Sequence, residues 1–566
     1  MDILALNKSI MKKFVFLLLI LLIVGLFNLT SAQISKGGEP YSFKTVKILS
    51  EIPFVVMPFV DVEALKAEDV FTDTIKNIPW RFGQNIDVFL NPKNSGVWDT
   101  INENTRIWRL GITSPDALSI NLLFDPFKLA NGTELFIYSA DKKQIIGAFT
   151  DFNNRDDGLF ATTLLPGDSM IIEYFEPIND AVKSEINLKR VTHGYRGVFD
   201  FQKGFGHSGW CNVNVACPES AGMESQIRSV GMLVTGGNGF CTGALINNTS
   251  NDGTPYFLSA DHCYSNPGSV VYWFNWQSAT CANPTSSPPY QSISGATQKA
   301  RNSTSDFWLV QLSSIPPTSF NVFYSGWNRT TVSSLNEKVW CIHHPSGDIK
   351  KISWANNGVT SADWDSYSET RATHWKVGSW SDETTTEPGS SGSPLYDANG
   401  RIIGQLHGGS AACGNTYSDY YGKLGVSWTG GGSNSTRLSN WLDPNGSGVM
   451  VLEGYPSYPL NIVLNSLNTT GTYTALTSVT MDPGFSTGTS TFIAQIYSPT
   501  KTGSFLKILF QSKTIFETQI ETDNSAVYPD LWNGYDLSGN KAEPGEYQYI
   551  ITKDDVQIGS GEVIIK

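Results

Sequence analysis

The distribution of cysteine constrains this chain more than any other feature of its sequence. All seven cysteines lie between Cys211 and Cys413, and the long segments on either side have none. In an oxidising compartment such a cluster indicates disulfide bonds within one domain, with one thiol left over, although spacing alone leaves the pairing open. Zinc binding is the alternative role for these cysteines, but the sequence contains no CxxC pair and no HExxH motif. We therefore predict neither a metal nor a cofactor.

The N-terminus predicts export. Lysines precede an apolar run from Phe14 to Phe27, and the small residues Thr30, Ser31 and Ala32 follow it. This is the pattern of a signal peptide that is cleaved after Ala32. The run is shorter than the ~20 apolar residues that a membrane-spanning helix needs, so a membrane anchor is disfavoured. We expect a secreted protein, extracellular or at the cell surface.

Composition limits the class of protein further. The chain has 566 residues, of which 40% are hydrophobic and 16% charged, as in a globular protein of several domains. Its net charge of −13 repels phosphate backbones, so nucleic acid is excluded as a partner.

Short alternating strands dominate the pattern along the chain. Examples are Glu134–Tyr138, Ile171–Tyr174 and Val270–Phe274, which are bounded by turn residues, whereas long helical periodicity is hard to find. The sequence therefore predicts an all-β protein. The predicted order is a signal peptide at 1–32, a cysteine-free β-rich segment at 33–203, a cysteine-rich domain at 204–453, a linker at 454–474 and a small β-sandwich at 475–566.

A glycine- and serine-rich hexapeptide carries the strongest chemical signal. It runs from Gly389 to Pro394, with Ser391 at its centre. Small residues on both sides of a serine let the backbone curl, so that neighbouring N–H groups point at one spot and can receive an oxyanion. Ser391 is therefore a candidate nucleophile. A surface loop is the alternative, because the chain contains 52 glycines.

Two upstream segments strengthen this interpretation. His262 ends an apolar run next to Cys263, which would restrain the imidazole at a strand edge. Asp306 opens the apolar run to Leu312, where a carboxylate is disfavoured unless it has hydrogen-bond partners, and orienting a histidine is one such role. The alternative for Asp306 is a strand-start cap. The order His262, Asp306, Ser391 is that of the chymotrypsin-like proteases.

The segment from about Gly206 to Asp443 resembles the bacterial lysyl endopeptidases, which are the lysine-specific secreted branch of the chymotrypsin-like family. Beyond the three motifs above, the stretches that carry the resemblance are Cys211 to Cys217, Cys241–Leu245, Ile342–Pro345, Glu387–Pro388 and Gly404–Gly409. The resemblance implies two packed six-stranded β-barrels with the site in the cleft between them. It also implies the disulfides Cys211–Cys413, Cys217–Cys281 and Cys241–Cys263, with Cys341 unpaired.

The resemblance implies a role for each site residue. His262 would take the proton of Ser391, Asp306 would hold the imidazole, and the N–H groups of Gly389 and Ser391 would receive the oxyanion. Digestive members of the family have Asp before the nucleophile, where this chain has Ser390. Activation by a new N-terminal ammonium that pairs with that Asp is therefore not available here.

Specificity for lysine needs a buried carboxylate. Asp419 matches the family's lysine-binding aspartate. Asp397 lies in a hairpin-turn signature that predicts a surface position, and Asp443 precedes Pro444 in the closing segment. His407 and Trp364 match a His–Trp pair that flanks the family's site.

The flanking segments resemble known companions of this protease. Residues 33–203 resemble its propeptide, and the C-terminal segment resembles the Ig-like modules of secreted bacterial proteins. Sorting through export machinery, attachment to the cell surface and a spacer role all stay open for that module. Without the ammonium switch, the propeptide is the available inhibitor or folding template, and we predict self-cleavage after Lys203.

The predicted function is a secreted bacterial serine endopeptidase that cuts protein or peptide substrates on the carboxyl side of lysine. One alternative is a catalytically inert binding protein with the protease fold. Another is an enzyme of different specificity, either trypsin-like and also accepting arginine or directed at glutamate. Asp419 discriminates among the enzymes, because a glutamate pocket would need His, Ser or a cation there.

Overall fold

The computed structural model describes residues 32–178, 182–199, 208–235, 239–364 and 372–456, together with the backbone of strands between residues 461 and 565. The chain divides into two compact units, Met1–Pro459 and Leu460–Lys566. Within the first unit we distinguish a leading region, residues 32–199, and a central region, residues 208–456.

The leading region is built mainly from strands. Its helices are α1 Tyr41–Lys44 and α2 Val62–Thr72. In chain order its strands are β1 Ala32–Gln33, β2 Phe54–Val56, β3 Trp80–Arg81, β4 Gly83–Leu90, β5 Val97–Asn102, β6 Thr105–Thr113, β7 Ser119–Lys128, β8 Glu134–Ser139, β9 Ile145–Phe149, β10 Phe160–Ala161, β11 Leu165–Pro166, β12 Ser169–Pro177 and β13 Glu185–Gly194.

Two sheets of the leading region share one apolar core. One sheet has the order β10-β7-β13-β4, with β11 also paired to β7, and the other has the order β2-β6-β12-β8-β9, with β5 also paired to β6. Apolar side chains of β6, β7, β8 and β12, such as Leu110, Leu122, Ile137 and Ile172, meet between the sheets. This region is a sandwich stabilised by burial of apolar side chains and contains no disulfide.

The central region contains short strands and helices. Its helices are α3 Glu224–Ser229, α4 Leu424–Thr429 and α5 Ser439–Leu442. Its strands are β14 Val213–Asn214, β15 Val230–Thr235, β16 Gly239–Leu245, β17 Tyr256–Ala260, β18 Val271–Phe274, β19 Gln291–Ser294, β20 Ala296–Asn302, β21 Phe307–Leu312, β22 Trp327–Asn328, β23 Ser334–Leu335, β24 Val339–His343, β25 Lys351–Ala355, β26 Val359–Ala362, β27 His374–Val377, β28 Pro394–Tyr396, β29 Ile402–Gly409, β30 Asp419–Lys423 and β31 Val451–Leu452.

These strands form two curled sheets. The first has the order β1-β19-β18-β15-β16-β17-β21-β20, and the second has the order β14-β25-β24-β28-β29-β30-β27-β26-β23, with β22 and β31 at its side. Strands such as β15, β16 and β18 are buried along their whole length, which explains their near-continuous apolar sequences. Leu258 and Ile342, one from each sheet, lie in the same apolar core. The two sheets therefore pack against each other.

Two short strands of the leading region pair with the first central sheet. Ala32 and Gln33 of β1 run parallel to Gln291 and Ser292 of β19. Trp80 of β3 pairs with Phe240 of β16. The leading region is thus joined to the central region by backbone hydrogen bonds, the interaction by which an added strand extends a sheet edge.

The second unit contains described backbone in three groups of strands. Its strands are β32 Asn461–Leu464, β33 Gly471–Ala475, β34 Ser478–Met481, β35 Phe492–Ile496, β36 Ser504–Phe510, β37 Lys513–Ile520, β38 Gly545–Lys553 and β39 Val556–Ile565. Strands β36 to β39 form an antiparallel sheet, whereas β32 pairs with β34 and β33 with β35 in parallel. The unit is β-rich as expected, and an Ig-like strand order in it stays a prediction.

Three disulfides link the central region: Cys211–Cys413, Cys217–Cys281 and Cys241–Cys263. These are the same pairs that the family resemblance implies. Cys341 is free and buried on β24.

The all-β prediction is confirmed, and α2 is the longest helix in the described part of the chain. None of the described helices is long and apolar enough to cross a membrane. The predicted signal peptide, apart from Ala32, lies outside the described residues. The domain boundaries predicted from the sequence stay predictions.

One prediction about exposure is wrong. The turn at Asp397 forms as expected, with the Gly400 N–H donating to the Asp397 carbonyl, but the Asp397 side chain is only 1% exposed. Its carboxylate accepts hydrogen bonds from the N–H groups of Asn399 and Arg401 and from the Asn328 amide. The turn signature predicted the backbone correctly, but the carboxylate caps the turn from inside, where the backbone donors lie.

Candidate active site

His262 and Asp306 meet beside the first central sheet. His262 lies in a turn that follows β17, and Asp306 immediately precedes β21, the neighbour of β17 in the sheet. The His262 Nδ1 atom lies 2.8 Å from Asp306 Oδ2, and the His262 backbone N–H donates to Oδ1 at 2.9 Å. The disulfide from Cys263 to Cys241 ties the histidine turn to β16. The imidazole is therefore held through both its ring and its backbone.

Ser391 lies in the loop before β28 of the second sheet and is buried. Its carbonyl accepts a 2.8 Å hydrogen bond from the Thr242 N–H on β16, so the loop is attached to the first sheet. Gly392 has a φ of +80°, and a Cβ there would lie 2.4 Å from the Thr242 carbonyl oxygen. Only glycine permits this close approach, which explains why the nucleophile loop needs Gly after the serine.

Hydrogen bonds to the backbone of the same loop determine where the N–H groups of Gly389 and Ser391 point. The Pro388 carbonyl accepts from the Ser346 N–H at 2.6 Å, and the Ser390 carbonyl accepts from the Ser393 N–H at 2.9 Å. In a trans peptide the C=O and N–H point in opposite directions. The N–H groups of Gly389 and Ser391 therefore point away from these donors.

The predicted specificity residue Asp419 lies at the start of β30 and is fully buried. Its Oδ2 atom accepts hydrogen bonds from the Trp380 indole at 2.7 Å and from the Thr386 hydroxyl at 2.8 Å. Its Oδ1 atom lies 2.8 Å from the Nζ atom of Lys76, whose side chain is only 5% exposed. A lysine ammonium from the leading region thus fills the pocket, where the carboxylate provides the counter-charge that a buried ammonium needs.

Lys76 also reaches the candidate nucleophile. The Ser391 hydroxyl donates a short hydrogen bond to the Lys76 backbone carbonyl. In this arrangement the His262 Nε2 atom is buried and has no hydrogen-bond partner among the described residues. One residue therefore occupies both the acidic pocket and the position next to Ser391.

An aromatic stack lies beside the histidine. The His407 and Trp364 rings stack with centroids 3.9 Å apart, and the His262 and His407 centroids are 5.7 Å apart. His407 Nδ1 lies 3.0 Å from Nε2 of His374, which the sequence analysis did not select as a site residue. Burial lowers the pKa of His407 and that of His374 to about 4. Both rings are therefore neutral near pH 7, so they do not compete with His262 for the Asp306 charge.

Ser390, the departure from the family pattern, has partners of its own. Its hydroxyl lies 2.7 Å from Nδ1 of His343 and accepts a hydrogen bond from the Glu387 N–H at 3.2 Å. Burial lowers the pKa of His343 to about 3. The contact between Ser390 and His343 is therefore one between neutral groups.

Two groups of potential metal ligands occur among the described residues. In one, Cys211 and Cys413 are already joined in a disulfide. The other consists of His262, Asp306 and His407. Here His262 Nδ1 and Asp306 Oδ2 are joined by a hydrogen bond of 2.8 Å. This contact is the one by which a carboxylate orients a histidine ring.

Sequence reasoning missed Lys76. The surrounding sequence Ile75–Pro79 matches no motif, and the chain has other lysines in the leading region, so no local signal distinguished it. The predicted processing residue Lys203 lies outside the described residues. Among the other predicted residues, His262 contacts Asp306, His407 stacks on Trp364, and both Asp419 and Ser391 contact Lys76.

His262 and Asp306 are in contact, and Ser391 lies in a loop of the second curled sheet that is bonded to the first through Thr242; the chain order of the three is that of the chymotrypsin-like serine proteases. Residues 205–422 match the sequence model of a family described as "Lysyl endopeptidase, C-terminal domain". A curated lysyl endopeptidase from Pseudomonas aeruginosa is 28% identical over 286 residues, which cover 46% of this chain and 59% of that protein. The similarity to lysyl endopeptidases is confirmed, and it spans about three fifths of the relative.

A comparison with solved structures finds similarity to a Glu endopeptidase in complex with MPD. It is 18% identical, with a TM-score of 0.26, over 38% of this chain and 92% of its own. Human heparin binding protein is 17% identical, with a TM-score of 0.27, over 36% of this chain and 88% of its own.

Proposed function

We propose that this chain is a serine endopeptidase that cleaves peptide bonds on the carboxyl side of lysine. The observation that carries the proposal is the position of Lys76: its ammonium lies 2.8 Å from Asp419 while its carbonyl accepts a hydrogen bond from Ser391. In a substrate cut after lysine, the same residue must fill the specificity pocket and present its carbonyl to the nucleophile.

In the proposed mechanism Ser391 attacks the carbonyl carbon. His262 takes the serine proton through Nε2 and later gives it to the leaving amine, while Asp306 fixes the ring through Nδ1 and stabilises its cation. The free Nε2 atom and the 2.8 Å Asp306 contact support these roles. The acyl-enzyme is then hydrolysed by water.

The N–H groups of Gly389 and Ser391 receive the oxyanion in this proposal. Their support is the backbone geometry of the loop, in which the preceding carbonyls are bound on the opposite side. Such donors cost no reorganisation at the moment of reaction, which is why they lower the barrier.

The pocket would select a substrate side chain by its charge and by its length. The Asp419 carboxylate meets the lysine ammonium directly, and the Thr386 hydroxyl is also a partner of that ammonium, at 2.9 Å. The paired His407 and Trp364 rings flank the cleft beside the triad. Their neutral stack would orient the substrate backbone without adding a charge.

We also propose secretion from a bacterium, with protein or peptide substrates. The three disulfides support an oxidising compartment. The N-terminal pattern supports an exported precursor. Sorting, surface attachment and a spacer role stay open for the C-terminal module.

The decisive experiment is cleavage-site mapping on a mixed peptide library with the wild type and Ser391→Ala, both checked for folding by circular dichroism. We expect cuts only after lysine, and a loss of turnover on the order of 10⁶-fold in the variant. Equal fluorophosphonate labelling of the two proteins, or of neither, would support the inert binding protein instead. Comparable cutting after arginine would contradict lysine specificity.

A further inference from the structure

The segment Asp73–Pro79, which we term the crossing segment, passes over the candidate active site. It begins where α2 ends and finishes where β3 begins. Among the described lysines of the leading region, only Lys76 is buried. Within the described part of the leading region, the crossing segment thus carries the buried lysine, and its ammonium lies in the Asp419 pocket.

The crossing segment places Lys76 where a substrate lysine would lie. Lys76 occupies the pocket, its carbonyl accepts a hydrogen bond from Ser391, and Asn77 is the next residue in the chain. A Cβ built on Gly408 would lie 3.6 Å from the Asn77 nitrogen. Asn77 thus lies next to the residue that follows His407, and the carbonyl of the Lys76–Asn77 peptide bond lies against the Ser391 hydroxyl.

Both ends of the crossing segment are anchored. Upstream, Asp69 of α2 accepts hydrogen bonds from Arg81 at 2.8 Å and from the Tyr195 hydroxyl at 2.6 Å. Asp73 pairs with Arg196 at 3.0 Å. Downstream, β3 pairs with β16, the strand whose Thr242 N–H holds the Ser391 loop. Arg81 therefore joins the two ends of the segment to each other.

We propose that Lys76–Asn77 is a self-cleavage site, and that the crossing segment blocks the pocket against other substrates for as long as Lys76 fills it. This inference rests on the proposed function. The Ser391 Oγ–carbonyl carbon bond forms, the Lys76–Asn77 bond breaks, and His262 passes the serine proton to the Asn77 amine. Water then cleaves the ester, which leaves a Lys76 carboxylate and regenerates Ser391.

The anchors predict an unusual consequence of this cut. The new ends stay close, because Arg81 holds α2 and β3 together and β3 stays paired with β16. A tethered amine remains near the acyl-enzyme at high effective concentration and can reverse the reaction. The nicked chain therefore stays assembled, and separation of the leading region requires a later cut before Cys211.

The test uses the full chain in four forms: wild type, Ser391→Ala, Lys76→Met and Lys66→Met. Methionine keeps an unbranched apolar stem but removes the ammonium. Lys66 is the matched control, because it lies on α2 with a side chain 52% exposed and, among the described residues, forms its ion pair only with Glu63. Samples are quenched in acid at successive times and searched by mass spectrometry for peptides that begin at Asn77. Hydrolysis of an added lysyl peptide is measured in parallel.

We expect the Asn77 terminus in the wild type and in Lys66→Met, and at least a tenfold lower yield in Ser391→Ala and Lys76→Met. If the wild type hydrolyses the added peptide but produces no Asn77 terminus, the inference is overturned and the proposed function stands. If it neither hydrolyses the added peptide nor produces the Asn77 terminus, the proposed function fails. An Asn77 terminus of equal yield in Ser391→Ala would overturn self-cleavage, and that comparison needs no change at residue 76.

Discussion

The leading and central regions are both β-rich, yet they are stabilised in different ways. The leading region buries a core between two sheets without any cysteine, whereas the central region adds three disulfides with sequence separations of 202, 64 and 22 residues. All the residues of the candidate triad and pocket belong to the central region. The covalent links therefore coincide with the part of the chain that must keep its geometry.

The difference also shows how the two regions can separate. Hydrogen bonds, ion pairs and apolar packing join the leading region to the central one, and no described disulfide crosses between them. The first disulfide of the central region begins at Cys211, so a cut before that residue frees the leading region. This agrees with the predicted processing after Lys203, which stays a prediction.

For the comparison of the two regions, the largest expected effect concerns the buried charge pair that connects them. Asp419→Asn should lower kcat/KM for lysyl peptides by roughly 100- to 1,000-fold, because an unpaired buried charge costs about 3–5 kcal/mol. Steady-state kinetics on a lysyl peptide measures it. Glu453→Gln is the control, since Glu453 is 68% exposed in its pair with Arg401 and should change the rate less than about twofold. Wild-type efficiency in Asp419→Asn would place the pocket acid elsewhere.

Removal of one disulfide tests whether the stabilisation is confined to the central region. The Cys217→Ala/Cys281→Ala pair removes a link between residues 64 apart, which should cost about 4 kcal/mol. Hydrogen exchange should increase in β14 and β25 and stay unchanged in β6 and β12 of the leading region. An equal increase in both regions would show that they unfold as one unit.

Acid should destabilise the central region more than the leading one. Burial lowers the pKa of His343 to about 3 and those of His374 and His407 to about 4, whereas an unfolded histidine titrates near 6.5. The unfolded state therefore binds more protons below pH ~6.5, so stability falls from there towards pH ~4. Urea unfolding between pH 7.5 and 5 measures this slope, and His374→Gln should flatten it. A slope of zero in that window would contradict neutral burial of these rings.

The smallest effect is expected at the one free cysteine. Cys341 is buried on β24 beside the Ser393 hydroxyl, and burial raises the pKa of its thiol to about 12. Because the thiolate is the reactive form, the folded protein should show no alkylation by iodoacetamide at pH 8. The unfolded, unreduced protein should take up one label per chain. Rapid labelling of the folded chain would mean that β24 opens readily.

Much of the fold and the candidate site could be predicted because the signals were local. Alternating apolar residues predicted strands such as β8 and β12, since each residue's face in a strand depends only on its neighbours. The Ser391 loop needs small residues because its backbone turns tightly. This requirement can be recognised in the hexapeptide from Gly389 to Pro394 alone. Asp397 shows the limit of such reasoning, because a turn pattern specifies backbone conformation but not burial of the side chain.

Lys76 and His374 could not be predicted in the same way. Lys76 is separated from Asp419 by most of the leading region and much of the central one, and its neighbours in sequence form no pattern. Its burial results from α2 and β3 being held at Asp69 and Arg81, which are themselves tertiary contacts. His374 gains its partner His407 only when β27 and β30 pair beside β29.

The sequence alone determined the all-β class, the order of His262, Asp306 and Ser391, and the cysteine-rich region that holds them. These follow from residue types and spacings, which act over a few positions. Only the tertiary structure decided which lysine enters the Asp419 pocket and which bond faces Ser391. A buried ion pair is stable only where both charges are desolvated together and the remaining hydrogen bonds are satisfied, and that condition depends on residues far apart in the chain.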